Sequence, residues 1–311
     1  MGRRDELRGA FGERVLEGIS LARFTSSRTG GPADFLIQAR TVDELRQTAV
    51  RLWAMGESFR VLGGGSNVLV ADAGVREVVI VNEAGRVSFE PGDLATRLVA
   101  ESGASLGGVA RRSAERGLTG LEWAASVPGT VGGAVVGNAG AHGGDIAGSL
   151  ETAEILQPPD RTEAWPVERL EYAYRTSWLK HHPGSVVLSA AFRLMSSTPE
   201  VTRARVEANV TARQLTQPQG ASWGSMFKNP PGDFAGRLVE AAGLKGTRRG
   251  QAEISEKHAN FFLNRGGARS EDVAQLLSLA RERVQESSGV RLDLEIELIG
   301  DWPEPTKEAL A

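Results

Sequence analysis

The chain has 311 residues, of which 41% are hydrophobic and 24% charged, and its formal net charge is −3. That length suits about two domains with a sizeable core, and that charge gives no global basic field for nucleic acid or an anionic membrane surface. There is no cysteine, which excludes disulfides, thiolate metal sites and cysteine nucleophiles. The start, "MGRRDELRGAFGERVLEG", lacks an apolar segment of the secretory type, and no run approaches the ~18 apolar residues of a spanning helix. A cytoplasmic protein is therefore expected. Only five of the 36 basic residues are lysine, a compositional bias rather than a nucleic-acid footprint.

In chain order, residues 34–40 ("DFLIQAR") predict a strand, and Thr41 with Glu44 forms a T-x-x-E capping-box signature. Val42, Leu45, Ala49 and Leu52 follow at helical spacing, and Gly56 suits the stop. Residues 58–70 ("SFRVLGGGSNVLV") read as strand, glycine-rich turn, strand. Strands are predicted at 76–81 and 96–102, then a helix from Ser105 that Gly107 and Gly108 weaken. Residues 117–148 carry ten glycines among Leu121, Trp123, Val127, Val131, Val135 and Val136. Flexible linkers seldom hold such side chains, so this stretch reads as a buried loop whose backbone approaches a ligand.

Strands recur at 151–157 and 185–195, and Thr198 with Pro199 opens a helix to about Leu215. The domain boundary is expected near 196–206. The last third predicts an α+β unit: a helix at 233–242, a strand at 259–264, a helix at 271–286 capped by Ser270, and a strand at 290–299. In that final strand Val290, Leu292, Leu294, Ile296 and Leu298 alternate with Arg291, Asp293, Glu295 and Glu297. Spacing alone favours a solvated ionic face.

Gly63, Gly64, Gly65, Ser66 and Asn67 form a nest-like turn whose successive N–H groups suit a phosphate. The turn is not G-x-x-x-x-G-K-S/T. It is not the dinucleotide fingerprint either, because Val68 takes the last glycine's place and a strand follows. Together with residues 126–140 it suggests a pyrophosphate held between two glycine-rich walls, which a flavin dinucleotide fits better than a simple nucleotide. Ser225, between Gly224 and the run Met226, Phe227, Lys228, Asn229, reads as nucleophile, cap or proton donor. No G-x-S-x-G surrounds it, and His142, His181, His182 and His258 are not placed by spacing as its base. No His, Asp or Glu cluster has metal-ligand spacing, so no metal is expected. Arg175, inside "YAYRTSWLK" (172–180), is either a packing stem or a carboxylate or phosphate clamp.

These motifs, with "SSRTGGPADF", "GLEWAASVPGTVGGAVVGNAGAHGGDI", "QPQGASWGSMFKNPPGDFAGRLVEAAGLKG", "AEISEKHANFFLN" and "LDLEIELIG", resemble the UDP-N-acetylenolpyruvoylglucosamine reductase (UDP-N-acetylmuramate dehydrogenase) family in its shorter subtype. They run in family order over residues 24–301. The resemblance implies an α+β fold: a two-subdomain FAD-binding region of the vanillyl-alcohol-oxidase-like type (24–198) and a C-terminal α+β substrate-binding domain (199–301), flanked by an N-terminal extension (1–23) and a tail (302–311). It implies FAD, with NADPH as co-substrate, and reduction of an enolpyruvyl UDP-sugar in peptidoglycan precursor synthesis by a monomer with no nucleic-acid or membrane partner. Alternatives are an FAD-dependent oxidase or dehydrogenase of the same fold and a non-catalytic nucleotide-binding module.

The resemblance assigns cofactor contacts to Gly63, Gly64, Gly65, Ser66, Asn67, Ser126, Val127, Pro128, Gly129, Gly132, Gly133, Asn138 and Gly140, and substrate contacts to Tyr174, Lys228, Asn229 and His258. The catalytic trio is Arg175 on the substrate carboxylate, Glu295 stabilising the charge that builds at the enolpyruvyl group, and Ser225 as proton donor to its C2. Two departures stand out. His142 stands where an aromatic hydroxyl is expected, a change that bears on flavin contacts. Trp223 stands where small residues are usual, a change that bears on the sugar pocket.

Overall fold

The structure is a computed structural model that describes residues 2–92 and 95–310, so the first residue of the expected extension and the last of the expected tail lie outside the described residues. The chain divides into two compact units. The first holds Met1–Val15, Ile37–Gly64 and Val79–Arg213, and the second holds Leu16–Leu36, Gly65–Val78 and Gln214–Ala311. This partition is not the contiguous one expected from the sequence. Of the two early segments that group with the C-terminal third, Gly65–Val78 is tied to it by Val68–Val70 pairing in parallel with Glu297–Ile299, and Leu16–Leu36 by Ser26 Oγ donating to Ser222 O and Asn264 Nδ2 donating to Ser27 O.

The first unit is built on a six-stranded sheet. Its strand order is Arg161–Pro166, Leu150–Gln157, Val186–Ser196, Ala95–Glu101, Val87–Pro91, with Leu118–Thr119 paired to the end of Val186–Ser196. Leu98, Ala100, Ile155, Trp165 and Phe192 are buried in one core with Val109, Ala110 and Ala114 of the helix Leu106–Glu115. Gly107, which weakens that helix by propensity, is needed there: a Cβ would stand 2.8 Å from the Ala125 carbonyl oxygen. The helix Val42–Ala54 starts at Thr41, whose Oγ1 accepts from Glu44 N at 3.1 Å. The Glu44 carboxylate reaches one residue further back than the signature implies, to Arg40 N at 2.8 Å. The glycine-rich stretch is not all loop. Thr130 caps a helix, Val131–Gly137, which buries Val131, Ala134 and Val135 and ends at left-handed Asn138. The N-terminal residues are also ordered, as a helix Arg3–Phe11 that buries Leu7.

The second unit carries an antiparallel sheet in the order Ser222–Ser225, Phe261–Asn264, Ala252–Ile254, Arg248–Arg249. The helix Ser270–Ser288 sets Val273, Leu276, Leu277, Ala280 and Val284 into a core shared with Trp223, Phe262 and Trp302. Ser270 is not its cap. The amides of Ser270 and Glu271 donate to the two carboxylate oxygens of Asp72, at 3.0 and 3.1 Å, so an anion nearly two hundred positions upstream neutralises the helix start. The expected final strand is regular only over Glu297–Ile299, although Leu292 and Ile296 are buried as its alternation requires. The expected tail forms a helix, Glu304–Leu310, and buries Leu310. Asp72→Ala is expected to lower unfolding stability by about 1–2 kcal/mol, measured by urea denaturation, with Asp72→Asn losing less.

Candidate active site

In the first unit, two glycine-rich segments lie main chain against main chain. A Cβ on Gly64 would stand 3.0 Å from the Gly129 Cα, and one on Gly63 only 2.3 Å from Thr130 Oγ1. Gly132 is equally confined, 2.8 Å from Ser102 Cβ, and its N–H donates to Ser102 O at 2.8 Å. The amides of Gly64, Gly129 and Thr130 donate to no protein acceptor among the described residues. Bare, undistracted N–H groups of this kind suit an anionic ligand. Val127 is half-buried against the core. Asn138 is held internally: its Nδ2 donates to Ala173 O and its Oδ1 accepts from Ala147 N, both at 3.0 Å. Its amide therefore shapes the segment rather than facing outward.

His142 sits at φ +52° and shares a 3.4 Å contact with Ser126 Oγ. Burial, then the charge of Arg213, holds its pKa below the usual histidine value. With Trp123, Gly144, Arg205 and Asn209 it lines a cleft of about 400 Å³. Arg175 occupies the tip of a tight turn. Ala173 and Thr176 exchange both main-chain hydrogen bonds at 3.2 Å, which leaves Tyr174 and Arg175 as the two central residues. Arg175 has φ +57°, a conformation that this turn position normally gives to glycine. Its Nη2 donates to Gly140 O at 3.0 Å, and Tyr174 is half exposed beneath its guanidinium.

In the second unit, a register shift between Ser222 and Ser225 against Leu263 and Phe261 makes a bulge, with Gly224 at φ +76°. Bulges re-aim side chains next to sites, which answers why a glycine precedes this serine. The following residues are clamped from both sides. Asn260 Oδ1 accepts from Phe227 N at 2.9 Å, and its Nδ2 donates to Phe227 O at 2.8 Å. On the other side Glu295 N donates to Met226 O and Lys228 N to Asp293 O, both at 2.9 Å. Glu295 is thereby set one residue from Ser225 along the pairing. Asn67 joins them, with Nδ2 donating to Glu295 O at 3.0 Å and its own O accepting from Glu297 N at 3.0 Å. Ser66 O lies 3.6 Å from where a Gly224 Cβ would be. Gly65 is pressed on Phe24, whose carbonyl oxygen would be 2.1 Å from a Cβ.

The remaining expected contacts differ in kind. Asn229 Oδ1 accepts from Ala235 N at 3.0 Å, bracing the start of the helix Ala235–Ala241. His258 Nδ1 accepts from Asn260 N at 3.3 Å, and its ring fills the space a Gly236 Cβ would need. Burial lowers its pKa. Trp223 is packed into the core rather than lining a pocket, 1% exposed. Asn260 escaped the sequence reading; the one available signal was an amide just ahead of the apolar run Phe261, Phe262 and Leu263.

Residues 33–156 match the family model of an FAD binding domain, and residues 216–299 match that of the UDP-N-acetylenolpyruvoylglucosamine reductase C-terminal domain. An FAD-binding domain joined to such a C-terminal domain defines a flavoprotein oxidoreductase, and the confined glycines and open amides fit that cofactor. A UDP-N-acetylenolpyruvoylglucosamine reductase of Chloroflexus aggregans is 46% identical over 286 residues, covering 90% of this chain and 95% of the relative. One from Rubrobacter xylanophilus is 45% identical over 282 residues, covering 90% and 94%. The crystal structure of UDP-N-acetylenolpyruvylglucosamine reductase from Thermus caldophilus is similar with a TM-score of 0.77 at 38% identity, covering 93% of this chain and 99% of that one. The chain belongs to the UDP-N-acetylenolpyruvoylglucosamine reductase family. Its fold class is the expected one, an FAD-binding region followed by a C-terminal α+β domain. Gly63→Ala is expected to lower the FAD content of purified protein, read as visible absorbance per mole, while far-ultraviolet circular dichroism stays unchanged.

Proposed function

We propose that this chain reduces the enolpyruvyl group of UDP-N-acetylglucosamine enolpyruvate to the lactyl ether with NADPH, a step in making peptidoglycan precursors. One observation carries the assignment of chemistry. On the ionic side of the last strand Arg291, Asp293 and Glu297 are exposed, whereas Glu295 is drawn partly out of solvent and paired beside the Ser225 bulge. A merely solvated face has no reason to withdraw that one carboxyl. Family membership supplies the substrate class.

FAD, when bound, supplies the two-electron chemistry that links NADPH to C3 of the enolpyruvyl group; Gly63, Gly64, Gly65, Ser66, Ser126, Pro128, Gly129, Gly132 and Gly133 are the residues that would hold it. The rest is the work of side chains. Arg175 carries a permanent planar cation, suited to grip the substrate carboxylate with two parallel hydrogen bonds. As C3 is reduced, the electron pair of the double bond moves to C2, beside that carboxylate. Glu295 stands toward this growing charge either as a protonated hydrogen-bond donor or shielded by Arg175, since a bare carboxylate there repels it. Ser225 holds the proton at Oγ and delivers it to C2. A serine hydroxyl is a weak acid, but the carbanion-like centre is a strong base, so the transfer runs downhill. Lys228 offers a cation to the diphosphate, and Tyr174 and His258 complete the sugar-nucleotide contacts. The reading places the reaction in the cytoplasm, on a single chain.

Ser225→Ala is expected to leave bleaching of the flavin by NADPH nearly intact and to slow its reoxidation by the enolpyruvyl sugar by ~10²–10⁴ in stopped-flow absorbance. Glu295→Gln is expected to slow the same half-reaction by ~10²–10³. Unchanged half-reactions in both variants overturn the assignment.

A further inference from the structure

We propose that Tyr172 and Ser177 are positioning residues that fasten the Arg175 turn to the C-terminal end of the helix Val131–Gly137, so that the segment assigned to FAD also sets the guanidinium. The inference rests on the proposed role of Arg175 and adds how that residue is held.

The last four carbonyls of a helix have no partner within it. In Val131–Gly137 the first of these, Ala134 O, is met locally by the amides of Asn138 and Ala139. The next two are met from far along the chain. Tyr172 Oη donates to Val135 O at 2.9 Å, and Ser177 Oγ donates to Val136 O at 2.7 Å. These two hydroxyls flank the turn, one on each side of Arg175. Between them Ala173 O accepts from Asn138 Nδ2 at 3.0 Å, and Arg175 itself reaches Gly140 O. The turn is therefore laced to four successive features of one short stretch: the last carbonyls of the helix, its left-handed terminal residue and the glycine beyond.

The lacing has a physical purpose. A non-glycine residue at φ +57° is strained and persists only where its surroundings over-determine it. Arginine gains nothing from that backbone; its side chain must be wanted there. Ser177 is 1% exposed, so its hydroxyl is committed to one acceptor. Tyr172 is held as the neutral phenol, first by burial and then by the charge of Asp145, so it remains a donor through the working range. Lys180 Nζ donates to Arg175 O at 3.2 Å and closes the turn from the far side.

The test measures the two half-reactions separately in FAD-loaded protein. Ser177→Ala and Tyr172→Phe are each expected to slow reoxidation by the enolpyruvyl sugar ~10–100-fold, the cost of a small misplacement, with flavin reduction by NADPH and FAD content unchanged. Ser177→Thr, which keeps the hydroxyl, restores the rate. In an Arg175→Lys background, which retains a cation, adding Ser177→Ala is expected to cost little more, because both changes act on one placement. Full additivity in that cycle, or unchanged reoxidation in both single variants while Arg175→Lys is slow, overturns the inference and leaves the role of Arg175 standing. Unchanged reoxidation in Arg175→Lys and Arg175→Ala instead removes the role of Arg175. Loss of FAD by both Ser177→Ala and Tyr172→Phe also overturns it, since the hydroxyls then hold the helix and not the turn.

Discussion

Two pieces of main chain, at Gly63–Gly64 and Gly129–Thr130, lie so close that a side chain on either glycine would collide with the other strand of the pair. Much of the first unit follows from that approach. At Gly63 and Gly64 glycine is required for space, and at Gly129, with φ +102°, for backbone freedom. The same closeness sets Thr130 to cap the helix Val131–Gly137, because a residue entering a helix from extended backbone can turn its hydroxyl onto the first free amides. The far end of that helix, in turn, offers its carbonyls to Tyr172 and Ser177. One packing constraint thus runs from the segment proposed to hold the cofactor to the turn that bears Arg175.

The second unit solves a different problem. The proposed chemistry asks that a serine and a carboxyl from residues seventy positions apart in sequence share one small neighbourhood. Asn260 does this with a side chain that imitates a strand edge, giving Phe227 both an acceptor and a donor. The opposite edge of the same segment is paired to Glu295 and Asp293. A buried amide with both groups satisfied is rigid, because breaking either bond strands a polar group away from water. That rigidity suits the proton-donor role proposed for Ser225, because so weak an acid depends on position rather than on acidity.

Local patterns were legible in the sequence wherever a short-range rule governs them. The apolar spacing of Val273, Leu276, Leu277, Ala280 and Val284 marked a helix face, and Thr41 with Glu44 marked a helix start. The glycine turn and the Ser225 loop stood out because their residue types are costly to keep without a reason. What misled was local propensity applied to non-local structure. Ser270 looked like a cap, yet Asp72 takes the amides because a carboxylate offers two acceptors and a negative charge to the same helix end. Residues 131–137 looked like loop, because three glycines hide a helix whose buried face is supplied by valines and an alanine.

Residue types and their spacing along the chain already set the chemistry on offer: which residues can donate a proton, carry a fixed positive charge or leave a backbone amide bare, and the periodic faces that build the core. Side-chain type and spacing along the chain suffice for that. Which of those groups are held in place came from the packing of distant segments. It separated Glu295 from its exposed neighbours on the same stripe, turned Asn229 toward a helix start and sank Trp223 into the core. The physical reason is that solvent exposure and hydrogen-bond partners are set by what packs alongside, and those partners come from segments that no local pattern brings together.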